Sequence, residues 1–184
     1  TRVRSPRVPA SLETSHLANL HDVVQDELRS YLAAGLSLRA DDTAAARRYL
    51  GELATQGLSR AGASVAADAA GSLRAQLALA AGRPAEAARE LQEVLRLEAR
   101  VGLIGGSPFY SQGLERFLYA GTLAEGGRLE DAAVWYDSFS SNSIFDLIYL
   151  APASLARGKL AERLGKPAEA ASHYQQVVAL WLDA

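Results

Sequence analysis

Apolar residues return every three or four positions along most of this 184-residue chain, the period of a helix that buries one face. From Ser11, a residue suited to cap a helix, Leu12, Leu17, Leu20, Val24, Leu28, Leu32 and Leu36 keep that interval and predict a long first helix to about Arg39. Asp41 and Asp42 interrupt it and can cap a second helix running through Leu58; a third is expected from about Ala61 to Ala81. Residues 1–10 differ: Pro6 and Pro9 fix φ and lack the donor a helix interior needs, so they predict an extended arm, carrying Arg2, Arg4 and Arg7.

Glycine and proline punctuate the rest. Gly82 then Pro84 is a stop followed by a favoured first-turn residue, predicting a helix from Pro84 to about Arg100. Ser107 and Pro108 predict the start of one ending near Glu125, Gly126 and Gly127 close it, and Leu129 to Phe139 form the next. After the polar run 140–143 and the apolar IFDLIYLA, Pro152 could kink a helix but more economically starts one, which ends at Gly165; Pro167 opens the last, to Asp183. About eight helices paired as hairpins result.

Three segments share a pattern: GRPAEAAREL (82–91), GRLEDAAVWY (127–136) and GKPAEAASHY (165–174), with DDTAAARRYL (41–50) as a degenerate fourth copy. Ala46, Ala87, Ala132 and Ala170 are equivalent. Twelve residues before each stands a small residue, Ala34, Ala75, Ala120 or Gly158. Four after each stands a large one, Leu50, Leu91, Tyr136 or Tyr174, and three further on Leu53, Val94, Phe139 or Val177. Small side chains let two helix backbones approach closely, while the large ones fill the space toward the neighbouring hairpin. A unit of this kind cannot bury its apolar faces alone and has to stack.

This pattern, over roughly residues 28–184, resembles the tetratricopeptide repeat (TPR) family: a small residue in a first helix, then Ala, a large aromatic and an apolar residue in a second. The last unit looks like closing repeats in C-terminal helical regions of large bacterial regulatory proteins. The anchors are 41, 45 and 38 residues apart, longer than the family's 34, and the family's bulky aromatic early in the first helix is missing. The resemblance implies an all-α fold, a right-handed α-solenoid of about four TPR-like hairpins, with residues 11–184 as one repeat domain. It also implies a concave protein-binding face on the first helices, which by register offers Tyr31, Gly35, Gln76, Phe117, Gly121, Lys159, Glu162 and Arg163. Chaperone-binding members clamp a peptide carboxylate with Lys, Asn and Arg; Lys159 and Arg163 have no Asn beside them, which speaks against that specialisation.

Composition agrees with a helical protein: 36 alanines and 28 leucines stand against 7% aromatic residues. Nineteen basic and 21 acidic side chains leave a net charge of -2, far from the concentrated positive charge of a nucleic-acid binder, so no nucleic acid is expected as partner. No apolar run approaches the roughly 20 residues of a membrane span. The chain starts at Thr1 and has no Met, which is read as a processed mature form, extracytoplasmic, or as a piece of a longer cytoplasmic chain.

Candidate chemistry is sparse. Zero cysteines remove thiolate nucleophiles and Cys-ligated metals. Glu13 and His16 have a di-iron-like spacing, but His21 falls about 140° around the helix from His16, so the two histidines do not converge. Residues 62–66 outline a nucleophile elbow with its last Gly replaced and no strand before it, and the glycine-rich 101–107 lacks the Lys and Ser/Thr of a nucleotide loop. The expectation is a non-catalytic scaffold needing no cofactor, whose partners are proteins. Among them would be other copies of itself, joined through the Arg-bearing arm and through Val177, Leu180 and Trp181 of the last helix. The alternative is a regulatory portion of a larger bacterial kinase or transcriptional regulator.

Overall fold

The computed structural model describes residues 26–56, 63–95 and 111–182. Among them are eight helices and no strand: α1 Asp26–Arg39, α2 Thr43–Gln56, α3 Ala63–Ala80, α4 Pro84–Leu95, α5 Gly113–Glu125, α6 Leu129–Asp137, α7 Leu147–Arg163 and α8 Pro167–Leu182. The expected arm with Arg2, Arg4 and Arg7, the predicted helical turns 11–25, Leu58, Gly62, Arg100 and the loop 101–107 lie outside the described residues, as does the Trp181 side chain; residues 63–66 of the elbow-like motif form the first turn of α3, not a strand-to-helix turn.

One turn is used four times. At Gly82, Gly127 and Gly165 the backbone takes a positive φ of 71°, 81° and 71°, a conformation that costs glycine little because it has no Cβ. Two bonds close each helix end: Gly82 N–H donates to Leu79 O and Arg83 N–H to Ala78 O, Gly127 to Ala124 and Arg128 to Leu123, Gly165 to Glu162 and Lys166 to Ala161. Asp41, with φ 61°, closes α1 in the same way. The next residue's carbonyl then accepts from the anchor alanine, Ala46, Ala87, Ala132 or Ala170, so the turn that ends one helix sets the register of the next. In three copies that residue is a cation paired with an acid in the first turn, Arg83–Glu86, Arg128–Asp131 and Lys166–Glu169. In the degenerate copy the Asp42 carboxylate caps Ala45 N–H at 2.8 Å instead. No atom lies within 4 Å of a Cβ built at Gly127. Gly127→Ala is therefore expected to cost about 1 kcal/mol through φ alone, read as a shift in urea midpoint.

The described residues fall into two compact units, Thr1–Glu90 and Leu91–Ala184, and α4 runs across the division. In the first, α1 pairs with α2, and α3 packs against both. Its core joins Ala34, Leu53, Ala70 and Leu73, with Tyr31, Leu38, Tyr49 and Leu50 packed around them. Each fully buried leucine contributes roughly 1.5 to 3 kcal/mol. Arg74 bridges α3 to Glu90 on α4 at 2.7 Å. In the second unit, α5 pairs with α6, α7 with α8, and α7 also touches both helices of the preceding hairpin. The anchors and their small partners are buried throughout: Ala34, Ala46, Ala75, Ala87, Ala120 and Ala132 expose no surface, and Gly158 and Ala170 are buried with them.

Two predicted helix starts are corrected. Ser111 and Gln112 form a turn and α5 begins at Gly113, because Gln112 takes a left-handed conformation (φ 50°) that an α-helix cannot pass through. The helix at Pro152 begins five residues earlier, at Leu147, so Pro152 sits inside it. Its ring forfeits the one bond that would reach the carbonyl of Ile148, a residue 74% exposed, where water can serve instead.

Candidate functional site

The second unit contains a groove of about 360 Å³ between α5, α6 and α7. It is built around Phe117. That ring lies 5.4 Å from Tyr136, 6.3 Å from Phe139 and 5.7 Å from Tyr149, and Tyr149 in turn lies 5.2 Å from Phe139. The cluster forms because α5 carries a glycine where it meets α7: a Cβ at Gly113 would stand 2.7 Å from the Tyr149 ring. The two edge-to-face pairs, Phe117 with Tyr136 and with Phe139, each contribute about 0.5 to 1.5 kcal/mol beyond their buried area.

Buried Tyr136 and Leu160 with half-buried Phe117 form the floor, and Pro152, Leu155, Lys159 and Arg163 of α7 the exposed rim. Burial, and after it the Glu125 carboxylate, pushes the Tyr136 hydroxyl above the ordinary tyrosine value of 10.0, so it stays a neutral hydrogen-bonding group through physiological pH. Lys159 and Arg163 are one helical turn apart. Arg163 Nη1 donates to Ala124 O at 3.1 Å near the C-terminal end of α5, where a cation is favoured by the helix dipole. The result is a small apolar trough with two exposed cations on its rim.

The α6–α7 connection is held by a charged latch. Arg116 Nη2 pairs with Asp146 Oδ1 at 2.5 Å, and its Nη1 donates to Ser138 O and Oγ, both at 3.1 Å. The guanidinium also lies 4.6 Å over the Phe139 ring. Asp146 Oδ2 accepts from Ser140 N–H at 3.3 Å, and Arg157 reaches Asp137 at 2.7 Å. Through Phe139 this latch supports the Phe117 cluster, and hence the groove.

Of the residues expected on a concave face, Phe117, Lys159 and Arg163 come together in this groove, with Gly121 beside the Tyr136 hydroxyl. Tyr31 and Gln76 meet in the first unit through a residue not anticipated, Ser72: its Oγ lies 3.2 Å from Tyr31 Oη and accepts from Gln76 Nε2 at 3.2 Å. Ser72 and Leu155 were legible, since both stand three positions before the small helix residue, as Tyr31 and Phe117 do. Glu162 is exposed on α7, and Gly35 has open space around it. On α8, Val177 is partly buried, Leu180 is 42% exposed and Leu182 79%. His173 is buried, with Nδ1 3.5 Å from Gln176 Oε1 and Nε2 3.9 Å from Glu169 Oε1, and does not line the groove. Among the described residues no three His, Asp or Glu side chains are placed to share a metal ion, and no helix is long and apolar enough to cross a membrane.

Comparison with protein-family models, with curated proteins and with solved structures found no match to this chain.

Proposed function

We propose that this protein is a non-catalytic, TPR-like scaffold, four hairpins of a right-handed α-solenoid, that mediates association between proteins. The repeated turn and its buried anchor alanine support the repeat reading. The observation that carries the function is the groove, whose aromatic floor and exposed Leu155 offer apolar surface beside Lys159 and Arg163. Its chemistry suits an extended segment that seats an apolar side chain against Phe117 and sets an acidic group at the two cations.

Selection of a displayed random-peptide library on the purified chain tests this. Enriched peptides are expected to pair an apolar residue with Asp or Glu, and to lose at least tenfold in affinity on Lys159→Glu or Phe117→Ala. Recovery of no peptide, or of peptides indifferent to both substitutions, would overturn the groove as a docking site.

A further inference from the structure

The repeat supplies its own description of what covers a hairpin. In the first unit, α3 lies on α1 and α2, and Leu73 of α3 shares one core cluster with Leu53 of α2. Leu53 stands seven residues after its anchor; it is 1% exposed, and its equivalents Val94 and Phe139 are 5% and 9% exposed. The fourth equivalent, Val177 on α8, is only partly buried. At the other end of the chain, Leu32 of α1 occupies the position that Leu73 holds in α3, and Leu28 that of Ala69. Leu73 is fully buried against the preceding hairpin, whereas Leu28 and Leu32 are partly exposed.

We propose that a second copy of this chain completes the contact, the leading face of its α1 lying on the trailing face of α7 and α8, as α3 lies on α1 and α2. The register supports that occupant by charge as well as by shape. Leu38 and Ala70 belong to the same core cluster in the first unit, and their equivalents at the junction are Glu162 and Arg29, of opposite sign. A head-to-tail contact of this kind is heterologous: each copy uses two different faces, so copies add in a row or close into a ring. The inference rests on reading the chain as an association scaffold, but it uses a surface other than the peptide groove.

The absence of cysteine makes the test clean. Leu32→Cys and Val177→Cys, both conservative in size, are prepared separately, mixed in equal amounts and mildly oxidised. A disulfide-linked pair containing one chain of each kind is expected, at least tenfold more abundant than either self-pair. Light scattering of the unmodified protein should show mass rising with concentration. Absence of the mixed pair overturns the proposal, whether the protein is monomeric or its own residues 1–25 cover Leu32. A Val177→Cys self-pair in equal yield overturns it in favour of a two-fold contact. Adding Phe117→Ala to both variants should leave the mixed pair unchanged, so loss of peptide binding and loss of self-association are read separately.

Discussion

Asp146→Ala is expected to lower the stability of the second unit by about 3 kcal/mol. The carboxylate is 6% exposed and its guanidinium partner 16%, so the substitution removes a charge and leaves its counter-ion largely shielded from water. Arg116 Nε is already buried without a hydrogen-bond partner, and Ser140 N–H would lose its acceptor. The cost therefore comes less from the ion pair itself than from stranding the groups that remain. The double replacement Arg116→Met with Asp146→Leu should cost less than Asp146→Ala alone, because no uncompensated charge stays behind. Urea unfolding followed by tryptophan fluorescence measures this in the right place, since both tryptophans, Trp135 and Trp181, belong to the second unit. A loss below 1 kcal/mol for Asp146→Ala would show that the latch is solvated and does not brace the groove.

Gly158→Ala is the second large effect, expected to cost roughly 1 to 3 kcal/mol. A Cβ at this position would fall on the Tyr174 ring, whose Cδ1 and Cζ are 2.7 and 2.8 Å away, and the ring is the large residue one turn after the Ala170 anchor. Either the ring leaves its rotamer or α7 and α8 move apart; both outcomes loosen the hairpin on which the groove rim stands. Gly35→Ala is the control in the first unit. It lies inside α1 with nothing within 4 Å of a built Cβ, so the same substitution should stabilise by up to about 1 kcal/mol. Opposite signs for one chemical change, read from thermal unfolding of the two variants, would separate close helix contact from helix propensity. Equal signs would show that Tyr174 swings aside without cost.

The hairpins were legible because their signals are local. A positive-φ glycine, a cation and an acid three residues on stand within one turn of sequence, and the anchor alanines recur at the same place in one ten-residue pattern. The latch was not legible, because Arg116 and Asp146 are 30 residues apart and nothing in either neighbourhood marks them as partners. The same holds for the starts of α5 and α7: Ser107–Pro108 and Pro152 are strong local signals for a first turn. At Gln112 a left-handed residue sets the actual start of α5, and at Pro152 the loss of a single bond at a solvated carbonyl was tolerated.

By itself, then, the sequence determined the all-helical character of the described residues, the positions of the four repeated turns, and which small residues are buried at each crossing, since these follow from backbone sterics and from apolar spacing along one helix. Only the tertiary structure decided which side chains of different helices meet. Phe117 came to centre on Tyr136, Phe139 and Tyr149, Tyr31 and Gln76 to share Ser72, and Lys159 and Arg163 to rim an apolar trough. The physical reason is that helix periodicity specifies a face but not the neighbour it turns toward; that is settled by packing, where a missing Cβ at Gly113 or Gly158 admits one aromatic ring.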